Sequence, residues 1–247
     1  MCAYSYYLRE IKRAYGGDSF YAARGTAVHA GRHVNLSQKC SSGVDVGMDV
    51  CLDAVVDSAN RHDDLMMTAE EIVGLNKRAA MGVLVDSAVA LARLDRERLQ
   101  PLIQPLHTEV KLVIELPKYP FDLAMRLDSL DADGWITDLK HSKMKWTALK
   151  ADGEYQPPIY TLGARAYTRK GPAGFRYHCV TCPKSGKLSA YIIETAVTEA
   201  RIRSVLERFR AMHNGICAGL FPPCHRGHWK CSAPYCEFYG QCKFVKG

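Results

Sequence analysis

The spacing of apolar residues changes once along this chain, near Pro101, and that change limits what it can fold into. Upstream, Ile72, Leu75, Ala79, Val83, Ala90 and Leu94 recur at helical intervals. Downstream, Thr108–Leu116 alternates, with Val110, Leu112 and Ile114 on one face, as in a half-buried strand. A mostly helical first hundred residues must therefore join a sheet. Helices are expected over residues 2–13, over Ala22–Val34, and over residues 41–60, the last entered through Ser41, Ser42 and Gly43. The clearest helix is expected over Thr68–Leu99. There Thr68-Ala69-Glu70-Glu71 reads as a capping box, with Thr68 as N-cap and Glu71 at N3, and Pro101 as the stop.

Beyond Pro101, Asp122–Leu130 and Trp135–Leu139 read as strands about an Asp131-Ala132-Asp133-Gly134 turn, which completes a three-stranded antiparallel meander. Residues 151–168 read as helix past Pro157 and Pro158. Phe175–Thr181 and Lys187–Glu194 form a second strand pair about the Pro183–Gly186 turn. An amphipathic helix then turns Ile202, Val205, Leu206, Phe209 and Met212 inward and ends at Gly219. The expected organisation is one α/β domain over residues 1–247. It comprises a helical region at about 1–100, a sheet core at about 105–195, and a C-terminal helix with a cysteine-rich appendage at about 197–247.

Composition narrows the class. With 247 residues and 47% apolar side chains, the chain can bury a sizeable core and is not disordered. Its most apolar stretch, Met81–Leu94, is broken by Asp86 and Arg93 and is too short to span a membrane. Arg9, Lys12 and Arg13 open the chain without an apolar run behind them, so a secretory leader is not expected and a cytoplasmic location is. The net charge of +7 suits a polyanionic partner. Ten cysteines in a reducing compartment are not a disulfide framework. Cys231, Cys236 and Cys242 crowd the tail and read first as metal ligands, whereas Cys40, Cys51, Cys217 and the Cys179-x-x-Cys182 pair read as core.

Chemistry concentrates at the meander. Asp138 and Lys140 are two apart and leave one face of their strand, and symmetric pairing about the turn sets Asp128 opposite Thr137, beside Asp138. Two carboxylates and a lysine at neighbouring strand ends call for a cation, and oxygen ligands suit Mg²⁺ or Mn²⁺. Such an ion would polarise a phosphoryl oxygen and activate water, with Lys140 orienting that water. The plainer alternative is a solvated hairpin end.

Asp128 followed by Asp138-Leu139-Lys140 resembles the core motif of the PD-(D/E)xK nuclease superfamily. Gly25-Thr26-Ala27-Val28-His29 resembles the G-T-x-x-H motif of its RecB-like exonuclease branch, and Gln156-Pro157-Pro158-Ile159-Tyr160 resembles that branch's Q-x-x-x-Y motif. Cys2 with Cys231, Cys236 and Cys242 resembles the split four-cysteine set of its iron–sulfur members, which include CRISPR-adaptation nucleases, AddB-type helicase–nucleases and related phage exonucleases. The resemblance implies a restriction-endonuclease-like core, a mixed central sheet flanked by helices. It implies that His29, Asp128, Asp138 and the Leu139 carbonyl hold Mg²⁺ or Mn²⁺, that Lys140 is catalytic, and that Gln156 and Tyr160 lie beside the site against DNA. The upstream acid falls on Glu109 or Glu115. Three positions depart from the pattern: Ala124-Met125-Arg126-Leu127 lacks the glycine usual before the first aspartate, the chain opens at Met1-Cys2, and Asp138 stands where many relatives have glutamate.

The implied activity is a Mg²⁺- or Mn²⁺-dependent DNA exonuclease with a four-iron four-sulfur cluster. It would act with recombination, repair or CRISPR-adaptation proteins, and a homo-oligomer is compatible with it. The alternative is an inactive or end-recognising nucleic-acid-binding module. Zinc is the other metal to weigh, at the four thiols, at Cys224, His225, His228 and Cys231, or at His29 with His33. Lys143, Lys145, Lys150, Arg165, Arg169, Lys170, Lys184 and Lys187 are candidate phosphate contacts, and Trp146 and Tyr155 candidate stacking platforms.

Overall fold

A computed structural model describes residues 2–183 and 186–246; Lys184 lies outside the described residues. Before the sheet come α1 (Ala3–Tyr6), which runs on as a π-helical turn over Tyr7–Ile11, then α2 (Phe20–Ser42), α3 (Met48–Ala59) and α4 (Lys77–Arg98). The strands are β1 (Pro105–Ile114), β2 (Leu123–Asp131), β3 (Trp135–Ser142), β4 (Gly174–Thr181) and β5 (Ser189–Thr195). They form one sheet in sequence order. The β1-β2-β3 meander is antiparallel, β3 and β4 are parallel, and β4 and β5 are antiparallel. A parallel pair needs a crossover, and α5 (Ala148–Gly153) with α6 (Gln156–Thr168) supplies it. Then follow α7 (Glu199–Cys217) and the short α8 (Lys243–Lys246).

The sheet is covered on both faces. Phe20, Val28, Val55, Leu84 and Leu91 from α2, α3 and α4 close over Leu139 and Val180 on one face. Ala151 and Ala164 from α5 and α6 close over Leu127, Ile136, Phe175 and Tyr177 on the other. Ile202 and Leu206 of α7 pack on Leu123 at one end. The expected class therefore holds: a mixed sheet flanked by helices, with a helical N-terminal region and a cysteine-bearing tail. Among the described residues, no helix is long and apolar enough to cross a membrane.

Cys40, Cys217 and Met212, expected to face inward, are exposed, and three expectations about the secondary structure need correction. The helix expected from Thr68 begins at Lys77, capped by Asn76, whose side chain accepts from the Ala79 amide at 2.9 Å. The capping-box residues are used elsewhere: the Thr68 hydroxyl donates to the Ala233 carbonyl, and Glu71 engages Tyr21 and Lys143. Ser41 and Ser42 do not open a helix but end one. Their hydroxyls bond back to carbonyls of the preceding turn, and Gly43, at φ +72°, is the left-handed cap of α2. Third, β2 and β3 pair Ser129 with Thr137 and Leu130 with Ile136, one residue off the expected register.

A buried polar clamp fixes α2 to α4. Arg32 pairs with Asp95 at 2.6 Å, Gln100 donates to the other Asp95 oxygen, and Asn35 donates to Gln100. Removing one partner of such a buried pair leaves the other uncompensated, at a cost of about 3–5 kcal/mol. Next to the clamp His178 is fully buried, with Nδ1 3.4 Å from the Arg32 guanidinium. Desolvation first, then the Arg32 charge, pushes its pKa down to about 2, and desolvation pushes His141 down to about 3. Both stay neutral in the fold while the unfolded chain takes up protons near pH 6.5. Their contribution is thus fully present above about pH 6.5 and is lost as pH falls below it, at about 1.4 kcal/mol per pH unit for each. Denaturant unfolding at pH 7.5, 6.0 and 5.0 checks this. His178→Leu should flatten the acid slope by about one histidine's share, and an unchanged slope would remove His178 as its source.

Candidate metal centre and active site

β2 and β3 share only two residue pairs, and then the sheet forks. The next positions along are Asp128 and Asp138, one on each prong. The fork stays polar because Asp128 takes over a backbone role: its Oδ2 accepts the Leu139 amide at 3.2 Å. On the other side of β2, the pairs Thr108 with Ser129 and Val110 with Leu127 place Glu109 across from Asp128. Glu109 sits at φ +50°. A non-glycine residue in that region costs roughly 1–3 kcal/mol, and such strain tends to collect at functional sites.

Helices reach the fork from both faces. His29 of α2 brings Nε2 to 3.2 Å from the Leu139 carbonyl oxygen and Nδ1 to 3.4 Å from Asp128 Oδ2. One ligand atom from each of His29, Glu109 and Asp128 lies within 4.8 Å of the others. From α6, the Gln156 amide donates to Asp138 Oδ1 at 3.2 Å and to the Tyr160 hydroxyl at 3.1 Å. The Lys140 ammonium meets Asp138 Oδ2 at 2.6 Å. Of the two upstream acids, Glu109 is at the site, and Glu115 is exposed beyond the end of β1.

The electrostatics of this cluster fit a cation. Burial holds the His29 pKa below the ordinary range, so its imidazole is neutral and carries one N–H. Two oxygens face its two nitrogens. Whichever tautomer forms, one nitrogen lone pair points at an oxygen lone pair, and a cation relieves that contact. Burial also raises both carboxyls, Asp138 to about 6, with the Lys140 charge acting against the rise. For Lys140 itself burial works to lower the pKa, but the Asp138 and Asp128 charges outweigh it and leave it raised, so the amine is cationic. Nitrogen plus carboxylate and carbonyl oxygens is a donor set for Mn²⁺ or Mg²⁺. Asp138 stands beside the three-residue group rather than within it, with its oxygens on Lys140 and Gln156.

Two contacts at the site lie outside the sequence motifs. Arg126 bonds Glu109 through Nε at 2.8 Å and is two residues before Asp128 on β2, a same-face spacing that could have revealed it. His141 fills the notch left by Gly25, whose added Cβ would lie 2.1 Å from His141 Nε2. Gly25 is one helical turn before His29 on α2, so this notch sets how closely α2 approaches β3.

The candidate nucleic-acid residues separate into two groups. Lys145, Lys150, Arg169, Lys170 and Lys187 are exposed. Lys143 is instead drawn into ion pairs with Glu70 and Glu71, Trp146 is buried against Tyr177, and Arg165 pairs with Glu199 at 2.6 Å. Tyr155 packs edge-on against Phe209. Burial corrects the expectation that Trp146 offers a stacking face, whereas Lys143 and Arg165 keep partly exposed cationic groups within their ion pairs.

A second site joins the two ends of the chain. Cys2, Cys224, Cys231, Cys236 and Cys242 line one cavity of about 400 Å³. The tail is docked on the helical region. Tyr235 stacks on Tyr21 at 4.8 Å, the Ser19 hydroxyl donates to the Pro234 carbonyl, and Arg9 pairs with Glu237. Tetrahedral zinc would draw thiolates to about 4 Å of one another. Among the described residues, no three cysteine or histidine ligand atoms of this region come within 4.8 Å of each other. His225 and His228 each accept a backbone amide at Nδ1, and His33 Nδ1 lies 3.1 Å from the Ser37 hydroxyl, which leaves Nε2 as the available ligand nitrogen of each. Four thiolates around such a cavity suit either tetrahedral zinc or a four-iron four-sulfur cluster.

Comparison with known proteins found no matching family model and no matching curated protein. The crystal structure of a "Putative exonuclease" from Eubacterium rectale superposes with a TM-score of 0.54 at 15% identity, covering 99% of this chain and 80% of that one. The likeness is one of fold. The crystal structure of SSO0001 aligns over 98% of this chain and 95% of that one at 14% identity, with a TM-score of 0.36 that carries no argument.

Gly25→Ala should force His141 out of its notch and move α2 from β3. We expect a loss of about 1–3 kcal/mol in stability and weaker Mn²⁺ binding, read by thermal unfolding and a Mn²⁺ titration followed by electron paramagnetic resonance. The double variant Gly25→Ala/His141→Ala should recover part of both, since the added methyl then has room.

Proposed function

We propose that this chain is a Mg²⁺- or Mn²⁺-dependent DNA exonuclease of the RecB-like branch of the PD-(D/E)xK nucleases, with a structural four-iron four-sulfur cluster joining its terminal segments. The observation that carries the reading is the convergence of His29, Glu109 and Asp128 beside the Asp138–Lys140 pair, on a fold shared with a protein named for exonuclease activity. The divalent ion, when bound by His29, Glu109, Asp128, Asp138 and the Leu139 carbonyl, supplies charge that polarises a phosphoryl oxygen and acidifies water.

The chain's own groups do the rest. Lys140 is kept cationic by Asp138 and Asp128, so it can hydrogen-bond the attacking water and offset negative charge developing on the phosphoryl group. Asp138 aims the ammonium through Oδ2, and Gln156 holds the opposite oxygen so that the carboxylate cannot rotate away. Tyr160 keeps its proton, because burial and the nearby carboxylates raise its pKa, and its hydroxyl can donate to a DNA phosphate while accepting from Gln156. Lys145, Lys150, Arg169, Lys170 and Lys187 supply exposed charge for the DNA backbone without reading sequence. A role beside recombination, repair or CRISPR-adaptation proteins goes with this reading.

The test is release of label from end-labelled single- and double-stranded DNA in Mn²⁺. Hydrolysis should stop with a chelator and fall at least about 100-fold in Lys140→Ala, with circular dichroism showing that the fold is retained. Tight DNA binding by the wild type without any label release would assign the end-recognising module instead.

A further inference from the structure

Five thiols line the cavity between the terminal segments, and a four-iron four-sulfur cluster takes four. The surplus sulfur is Cys224, which stands apart from the three tail cysteines in sequence but not in space. Its amide donates to Cys2 Sγ at 3.4 Å, and its own sulfur is three bonds from that nitrogen and faces the same cavity. The two residues thus hold two sulfurs at one corner of the site, where a cluster needs one.

They are held differently. Cys2 precedes a four-residue helix; it and the turn that follows are held by the Tyr4 amide on the Pro222 carbonyl, by ring contacts of Tyr4 with Phe244 and of Tyr6 and Tyr7 with Phe221, by Lys243 over the Tyr4 ring, and by the surface ion pair of Arg9 with Glu237. Cys224 follows Pro222 and Pro223, whose rings fix their backbone, and leads directly to Cys231. Drawing Cys224 to the cluster closes a short loop, whereas drawing Cys2 to it closes nearly the whole chain, so the entropy of ligation favours Cys224 once the amino-terminal segment has moved.

We propose that Cys224 is an interchangeable fifth ligand, which takes the Cys2 position on the cluster when the amino-terminal segment lifts away. The inference rests on the iron–sulfur part of the reading above. The exchange breaks one iron–sulfur bond and forms another. Cys224 releases its proton as it binds, and Cys2 takes one up as it leaves, so charge and oxidation state are unchanged and no oxidant is needed. Hydrogen bonds to cluster sulfurs tune their potential. The Cys224 amide that bonds Cys2 in one ligation state cannot serve a departed Cys2 in the other, so the two forms differ in redox behaviour.

The test uses the full chain, reconstituted anaerobically with ferrous iron and sulfide. Iron and sulfide per chain and absorbance near 400 nm are measured for wild type, Cys2→Ala, Cys224→Ala, the double variant, and Cys236→Ala as a fixed-ligand control. Circular dichroism of the metal-free forms checks folding. Each of the first two single variants should keep at least half the wild-type iron, and the double variant and Cys236→Ala should lose at least tenfold. Cys2→Ala should also show a shifted reduction potential. The proposal is overturned if Cys2→Ala is as iron-poor as the double variant, if Cys224→Ala alone loses the cluster, or if the double variant keeps it. A wild type that binds zinc in place of iron defeats the cluster reading instead, and zinc per chain in the same variants then decides the exchange. A wild type that binds neither metal defeats both.

Discussion

The fork between β2 and β3 is the constraint from which the rest follows. Two strands that stay paired satisfy their backbone groups with each other. Here they part after two residue pairs, and the amide of Leu139 is met by the Asp128 side chain. That substitution opens a polar slot in the middle of a sheet and removes the barrier between its faces. His29 can then enter from the α2 side and Gln156 from the α6 side. A fully zipped hairpin would have separated these residues by a layer of hydrogen bonds.

Such a slot is expensive to keep open, and the surroundings show how it is held. The Arg32–Asp95–Gln100 clamp fixes α2 to α4, the notch at Gly25 fixes its approach to β3, and the ion pairs of Lys143 with Glu70 and Glu71 brace the chain leaving β3. Tyr21, on α2, touches both that brace and Tyr235 of the cysteine tail. The sulfur-lined cavity and the carboxylate slot therefore share one supporting helix, although neither contributes a ligand to the other.

Much of this was legible in the sequence because it depends on short-range spacing. The alternation of β1, the Asp-Gly turn, and the two-residue step from Asp138 to Lys140 each report a strand period. What was misread depends on long-range partners. Thr68 and Glu71 have the spacing of a helix cap, but their side chains are claimed by Ala233, Tyr21 and Lys143, and no local rule announces that. Trp146 looks like a stacking platform among lysines until Tyr177 and the floor of α5 bury it. The register slip at the hairpin has the same character. A count from the turn places Asp128 opposite Thr137, whereas the observed register brings it level with Asp138.

The cysteine cavity draws its walls from opposite ends of the polypeptide, Cys2 on one side and Cys231 through Cys242 on the other. During translation at about 5–20 residues per second, the first of these thiols waits for the last on the order of tens of seconds. The helical region and sheet can form in that interval, but the cavity cannot. A cofactor of the kind proposed would therefore load late, after synthesis, and a nascent polypeptide would carry an assembled carboxylate slot with an unfinished sulfur cradle.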